Sequence, residues 1–162
     1  MTAFVSDTSP INYLCLIDAL GVLPSLFDRV LIPPAVMAEL RHPKAPPAVA
    51  NWLANLPAWV QIQSPSSIRP NMGLDPGETE AISLAIELSL PAILIDERVG
   101  RVAAEECGIA AIGTLNILDS ADKLELLRLE DAVARLRMTN FHIDSTIVDA
   151  LVVLARARKS SA

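Results

Sequence analysis

Two aspartates follow apolar segments of strand length and precede the start of a helix. Asp7 comes directly after Ala-Phe-Val-Ser, and Asp96 follows Ala-Ile-Leu-Ile. In an open parallel sheet the carboxyl ends of the strands face one crevice, where ligands bind. Carboxylates there supply the oxygen ligands that hard divalent cations prefer. The pattern therefore indicates a site for metal-assisted chemistry.

Each aspartate also has a structural interpretation as a helix N-cap, whose side chain accepts an N–H of the next turn. That alternative stays open for Asp96. It is weaker for Asp7, because Ser9 stands immediately before Pro10 and is the better predicted cap of the following helix.

Two nearby glutamates are distinguished by the rules of helix capping. With Asp75 as N-cap and Pro76 as the first helical residue, Glu78 holds the position from which a capping-box glutamate reaches back to the cap. Glu80 has no such duty and lies at the border of the apolar stripe of its helix. A half-buried acid needs a partner, so we predict Glu80 as a metal ligand, with a solvated first-turn acid as the alternative.

The remaining candidate ligands are less informative by themselves. Glu39 lies in the predicted helix that begins at Pro34, and in isolation it is an ordinary exposed helix residue. His42 and His142 have no histidine, cysteine or carboxylate partner at ligand spacing, so neither predicts a zinc site.

Alternating strand and helix patterns provide the elements that would hold these acids. Predicted strands cover residues 3–6, 30–32, 92–95 and 110–112, with a weaker edge strand at 60–63. Helices are predicted from Pro10, Pro34, Pro76 and Glu97, and over residues 46–56, 115–124, 130–138 and 145–158. This βα repetition predicts a three-layer, Rossmann-like α/β/α fold with a central parallel sheet of four or five strands.

Size and composition favour one domain over residues 1–162, with the helices near 115–158 packed on the same core. Hydrophobic residues make up 52% of the chain, which predicts a large aliphatic core. No leader pattern and no membrane-spanning apolar run appear, so we expect a cytoplasmic protein. Cys15 and Cys107 lack metal-ligand spacing and are predicted to be buried free thiols.

The net charge of −6 argues against a protein that binds nucleic acid through a broad basic surface. Gathering many acids around divalent cations would weaken this objection. The remaining cations would then be free to form basic strips, and those expected to do so are Arg98, Arg101, Arg135, Arg137, Arg156, Arg158 and Lys159. Aromatic residues are few, and no RNA-binding motif or set of stacking aromatics is visible.

Four segments together resemble the PIN-domain nucleases. They read D-T-S-P after the first strand, A-E-L on the next unit's helix, D-P-G-E-T-E-A-I, and L-I-D-E-R-V-G-R. The likeness covers nearly the whole chain and is closest to a small prokaryotic branch with a G-T-L-x-x-L stretch, here Gly113 to Leu118. The resemblance implies a PIN-like fold in which Mg²⁺ or Mn²⁺ is bound by four catalytic acids: Asp7, Glu39, Glu80 and Asp96. Residues of second rank, which would assist through water or a substrate phosphate, are Thr8, Ser9, Glu78, Glu97, Arg98 and Arg101.

The resemblance further implies a metal-dependent nuclease, most simply an endoribonuclease that cleaves single-stranded RNA. Small PIN proteins resemble the VapC-like toxins of toxin-antitoxin pairs, which implies an antitoxin protein as partner and a homodimer. An all-acid site suits Mg²⁺ or Mn²⁺ better than Zn²⁺. The preference for RNA over DNA rests on the resemblance alone.

Two other functions compete with this interpretation. A phosphatase of the haloacid-dehalogenase type also places an aspartate after its first strand, but it needs a second one two residues later, where this chain has Ser9, and no lysine occurs between Lys44 and Lys123. The second alternative is a PIN-like binding or regulatory module without catalysis.

Overall fold

The central sheet has five parallel strands in a computed structural model that describes residues 2–161. The strands are β1 (Ala3–Ser6), β2 (Arg29–Ile32), β3 (Val60–Ile62), β4 (Ala92–Leu94) and β5 (Ala110–Ile112). Their order across the sheet is β3-β2-β1-β4-β5, and every neighbouring pair is parallel. The carboxyl ends of β1 and β4 are therefore neighbours at the centre of the sheet. This arrangement confirms the predicted α/β/α class, and β3 lies at the edge as predicted.

Helices connect the strands, and three more helices come after the last strand. Their bounds are α1 (Thr8–Leu16), α2 (Leu23–Leu26), α3 (Pro34–Leu40), α4 (Pro47–Ala54), α5 (Pro76–Glu87), α6 (Arg98–Glu106), α7 (Thr114–Lys123), α8 (Leu129–Leu136) and α9 (Ser145–Ser160). A short 3₁₀ helix, Leu20–Val22, precedes α2. Neither this 3₁₀ helix nor α2 was predicted from the sequence.

The first helix begins earlier than predicted, which changes the role of Ser9. Asp7 holds the N-cap position of α1, with an extended backbone and no side-chain capping bond. Pro10 is thus the third helical residue, which is tolerated because the first turn has no intrahelical partners for its N–H groups. The prediction that Ser9 caps this helix is wrong, since its hydroxyl donates to Asp96 instead, at 2.8 Å.

Successive side chains of the strands belong alternately to two hydrophobic clusters on opposite faces of the sheet. Val30 and Ile32 join one cluster, whereas Leu31 between them joins the other. Such alternation is the period-two pattern of a strand buried on both faces. The first cluster also includes residues of α1, α3, α7, α8 and α9, and the second includes residues of α5 and α6.

Most of the expected basic strips do not form. Arg158 lies 2.9 Å from both Asp119 and Asp122, and Lys159 lies 3.1 Å from Asp122. Further pairs are Arg156 with Glu130 and Arg137 with Asp149, and Arg135 donates to the Ile17 carbonyl. The prediction of free cations is wrong for these five residues because acids distant in sequence neutralise them or a carbonyl binds them. Within residues 2–161, Arg98 and Arg101 make no ion pair.

Two further expectations concern the cysteines and the membrane. Cys15 and Cys107 are free thiols, as predicted, but they are half-buried rather than fully buried. In residues 2–161 no single helix is long and apolar enough to cross a membrane. The segments Thr8–Leu16 and Leu20–Leu26 reach that length and apolarity only together, with a bend of 115° between them.

Candidate active site

Asp7 lies at the centre of the candidate site, where β1 ends. Its backbone N–H donates to the Leu94 carbonyl of β4 at 2.9 Å, which fixes the residue between the two central strands. The residue is only 4% exposed. Its Oδ1 atom is buried and accepts no hydrogen bond from any residue between 2 and 161. A buried carboxylate oxygen without a partner is costly, so this atom is poised to bind a ligand.

The surroundings of Asp7 raise its pKa from the ordinary 3.8 to about 7. Burial is the largest cause, and the backbone N–H of Thr8 acts against it. The negative charges of Glu39, Glu78 and Asp75 raise the pKa further. Three acids from other segments thus converge on Asp7, and without a cation its carboxyl is partly protonated at neutral pH.

Glu39 reaches this cluster from α3, which its sequence context alone could not show. Its carboxylate accepts a hydrogen bond from the Thr8 hydroxyl. Gly77, at the start of α5, leaves room for the same carboxylate, since a Cβ atom at Gly77 would lie 2.5 Å from Glu39 Oε1. The first turns of α1 and α5 therefore enclose the Glu39 side chain.

Glu78 is the glutamate of α5 that belongs to the cluster around Asp7. It is only 6% exposed, and its backbone N–H donates to the capping Asp75 carboxylate at 2.8 Å. Burial raises its pKa most, followed by the charge of Asp75, while the Asp75 backbone N–H lowers it and Glu97 and Glu39 raise it. A Cβ atom at Gly100 would lie 2.9 Å from Glu78 Oε1. The carboxylate therefore lies against the first turn of α6.

Glu80 has a capping contact that its own helix does not reveal. Its Oε2 accepts the backbone N–H of Ala35 at 2.8 Å, and Ala35 is the second residue of α3. That N–H has no partner within its helix, so Glu80 caps a neighbouring helix. The sequence predicted only that Glu80 has no capping-box role in its own helix, and its contact with α3 could not be foreseen from that helix. Glu78, rather than Glu80, is among the acids that raise the Asp7 pKa most.

Asp96 joins three segments through its carboxylate. Oδ1 accepts the Thr114 N–H at 2.7 Å, and Oδ2 accepts the hydroxyls of Thr114 and Ser9 at 2.7 and 2.8 Å. The N-cap position of α6 belongs to Glu97, so Asp96 does not cap that helix. Its hydrogen bonds instead orient a half-buried carboxylate between the starts of α1 and α7, with one lone pair of Oδ1 left for a ligand.

Arg101 brings a positive charge to the same region. Its Nη1 donates to the Ile95 carbonyl at 3.4 Å, a long hydrogen bond. A Cβ atom at Gly113 would lie 2.6 Å from this nitrogen and 3.1 Å from Asp96 Oδ1. The guanidinium therefore lies beside Asp96, in space that the missing side chain of Gly113 provides. Arg98 and Glu97 are exposed at the start of α6.

The chemistry of these donors fits a hard divalent cation. Asp7, Glu39 and Glu78 offer only oxygen ligands, and Asp7 Oδ1 has no other partner among the described residues. Within residues 2–161, no three acidic, histidine or cysteine side chains already stand in an arrangement that could hold a metal ion. Mg²⁺ needs no such enclosure, because it usually keeps several waters and uses only one or two carboxylates.

Gly77 offers a steric test of the Glu39 position. In Gly77→Ala the new Cβ atom must displace the Glu39 carboxylate, so we expect the affinity for Mg²⁺ to fall roughly tenfold, a typical cost of disturbing the groups that orient a metal site. Isothermal titration with Mg²⁺ measures the change. Gly21→Ala is the matched control, because nothing lies within 4 Å of its Cβ position. Equal affinities in the two variants would separate Glu39 from the metal.

Capping logic on one helix at a time ranked Glu78 below Glu80 and gave it only an assisting role. A glutamate in a capping box was taken as explained, although a capping contact leaves part of a carboxylate available to other groups. Gly100 in the first turn of α6 was the available signal, since a glycine there often marks the close approach of another group, and its Cβ position lies 2.9 Å from Glu78 Oε1.

Comparison with known proteins agrees with this architecture. A family model described as a PIN domain matches residues 3–157, which is nearly the whole chain. No curated protein matches significantly. PIN domains are generally nucleases that use divalent metals, and the five-stranded parallel sheet between helical layers is consistent with that fold. The chain therefore belongs to the PIN-domain family.

Proposed function

We propose that the protein hydrolyses phosphodiester bonds in single-stranded RNA as a Mg²⁺- or Mn²⁺-dependent endoribonuclease. The observation that carries the proposal is the Asp7 carboxylate, which is buried among acids and has one oxygen without a partner. Such a group is unfavourable in the absence of a cation and favourable in its presence. The family supports the nuclease class, and the resemblance to toxin-type PIN proteins supports RNA.

In this proposal Asp7 would bind the cation directly, Glu39 and Glu78 would contribute directly or through the waters of the cation, and Asp96 lies beside them. Ser9 and Thr114 orient Asp96, and Thr8 orients Glu39. Glu80 remains the ligand predicted from sequence, but its bond to the Ala35 N–H favours a capping role. A bound divalent cation lowers the pKa of a coordinated water and stabilises charge on the leaving oxygen.

The chain's own cations complete the proposed site. Arg101 makes only one long hydrogen bond in the described part of the chain, so most of its N–H donors are available to phosphate oxygens. Arg98 is exposed one turn earlier on α6. Two arginines at the crevice attract a phosphodiester even though the protein as a whole is acidic.

A role as the toxin of a toxin-antitoxin pair, with an antitoxin partner and a homodimer, belongs to the same proposal. It rests on the resemblance to VapC-like toxins. The exposed apolar residues Ile147, Val153 and Leu154 on α9 offer a surface for such a partner. A small gene for an antitoxin next to this one would support it, and its product should suppress cleavage when both are purified together.

Cleavage of a single-stranded RNA oligonucleotide by the purified protein tests the nuclease proposal. We expect cleavage with Mg²⁺ or Mn²⁺, none with EDTA, and a loss of roughly 100-fold or more in Asp96→Asn, because the hydrogen-bonded carboxylate beside the metal is removed. A single-stranded DNA oligonucleotide of the same sequence compares the two nucleic acids. Cleavage that persists in both EDTA and Asp96→Asn would reject the proposal, and complete inactivity would favour a binding or regulatory module.

A further inference from the structure

Two aromatic rings far apart in sequence meet beside the candidate site. The ring centroids of Tyr13 on α1 and Phe141 lie 4.8 Å apart, edge to face at 79°. The Tyr13 hydroxyl donates to Asn140 Oδ1 at 2.9 Å. These three residues are called the aromatic edge below. The sequence shows no set of stacking aromatics because the two rings are brought together only by the fold.

Helix α1 places the aromatic edge next to Asp96. Ser9 and Tyr13 are four residues apart and therefore neighbours on one face of the helix. Ser9 bonds Asp96 at 2.8 Å, so Tyr13 borders the same crevice one turn further along. Burial raises the pKa of Tyr13, and so do the charges of Asp96 and Glu97. Like that of an ordinary tyrosine, its hydroxyl is protonated at neutral pH and can donate.

The aromatic edge packs with one side against the first hydrophobic cluster and keeps part of its surface exposed. Tyr13 and Phe141 are partly exposed, and Asn140 is exposed. Asn140 uses its carbonyl oxygen for Tyr13, whereas its NH₂ group donates no hydrogen bond within residues 2–161. Unpaired bases of single strands are bound by stacking on aromatic rings and by hydrogen bonds to their edges. Both kinds of group are present here.

We propose that Tyr13, Asn140 and Phe141 bind a nucleobase of the substrate strand adjacent to the phosphate that is cleaved. The inference rests on the proposed function and adds a recognition element to it. Stacking would require an unpaired base, which accounts for a single-stranded substrate. The Asn140 amide would donate to an acceptor on the base edge. Arg98 and Arg101 would bind the backbone, so base and phosphate would be recognised by different sides of the crevice.

The test compares an intact RNA oligonucleotide with one of equal length that lacks its bases, using Asp7→Asn protein in Mg²⁺ to prevent cleavage. We expect the intact strand to bind more tightly. In the same background, Tyr13→Leu should weaken its binding about 10- to 100-fold, the scale of one base stacked on an aromatic ring, and leave the abasic strand unchanged. Tyr13→Phe is the matched control, since it keeps the ring and loses only the hydrogen bond to Asn140. Its affinity for the intact strand should fall by about tenfold at most.

Tyr13 also gives a readout that needs no substitution at the aromatic edge. It is the only tyrosine of the chain, so protein labelled on tyrosine rings gives one set of ring resonances. A base stacked on the ring should move these resonances upfield, and the abasic strand should not. This measurement decides the matter even if Tyr13→Leu fails to fold.

Three outcomes would overturn the inference in different ways. Equal binding of intact and abasic strands, without ring shifts, rejects base recognition while leaving the nuclease proposal intact if wild type cleaves RNA. A Tyr13→Leu variant that melts at a lower temperature but binds the intact strand normally makes the aromatic edge a structural clamp. Absence of both binding and wild-type cleavage rejects this inference together with the proposed function.

Discussion

Replacing Asp7 by asparagine should stabilise the metal-free protein at pH 8 by up to about 4 kcal/mol. The folded state raises the pKa of Asp7 from 3.8 to about 7, and each unit corresponds to about 1.36 kcal/mol. Above pH 7 the wild-type carboxyl is ionised in a buried, acidic environment, which destabilises the native state. Asparagine is isosteric and carries no charge, so it removes this unfavourable term.

The same variant should change how stability depends on pH. A raised pKa means that the folded state binds more protons than the unfolded state between about pH 4 and 7, so the free energy of unfolding falls as pH rises through that window. Urea denaturation in EDTA at pH 4, 6 and 8 measures this slope, which Asp7→Asn should reduce. The control is Asp18→Asn. Asp18 is exposed and has a left-handed backbone conformation, which asparagine also adopts readily. Identical slopes in wild type and Asp7→Asn would contradict the prediction.

Divalent cations should stabilise wild type more than Asp7→Asn. Millimolar Mg²⁺ or Mn²⁺ is expected to raise the melting temperature of wild type, because a cation that binds only the folded state stabilises it. The shift should be smaller in Asp7→Asn. An unchanged shift would remove Asp7 from the metal site without affecting the argument about its pKa.

The second large effect is expected from a pair of isosteric substitutions on α5. Glu78→Gln should reduce metal-dependent cleavage by on the order of 100-fold or more, because it removes a charge from the acids around Asp7. Glu80→Gln should reduce it less than about tenfold, since the glutamine oxygen can still accept the Ala35 N–H. Single-turnover cleavage of one RNA oligonucleotide compares the variants under identical conditions.

Thermal unfolding distinguishes a capping role of Glu80 from a metal-binding role. Glu80→Ala should cost about 1 kcal/mol, the usual price of a lost N-cap, with or without Mg²⁺. Glu80→Gln should keep most of that stability. One outcome would contradict the structural assignment of Glu78 to the metal site. In it, Glu80→Gln abolishes both cleavage and the Mg²⁺-dependent rise in melting temperature, and Glu78→Gln abolishes neither. Glu80, as predicted from sequence, would then be the metal ligand.

The elements of the fold were readable because their signals are local. Proline at the starts of α3 and α5 and the continuous apolar runs of the central strands depend only on neighbouring residues. The boundary of α1 was missed because the Ser9 hydroxyl bonds Asp96, 87 positions away, rather than its own helix. A partner at that separation cannot be inferred from a capping rule.

The candidate site was predictable in part for the same reason. Asp7 directly follows β1 and Asp96 lies two residues after the end of β4, so their placement near the crevice required only the sheet. Glu39 and Glu80 depend on contacts with Thr8 and Ala35, which are 31 and 45 positions away. Reasoning from one helix at a time therefore treated Glu39 as an ordinary exposed residue and found no hydrogen-bond partner for Glu80 within the protein. The arginines of α9 were predicted to be free for the same reason, because the acids that pair with them lie on other helices.

Three glycines suggest how related chains can be recognised in genome sequences. Gly77, Gly100 and Gly113 each leave space that a side chain of the candidate site occupies, namely Glu39, Glu78 and Arg101. Acidic residues are common on protein surfaces, so a search for acids alone returns many unrelated chains. A search that also requires glycine at these three positions would select chains whose backbone leaves space for the side chains of the site. It would discard chains in which the acids are present but a larger residue fills that space.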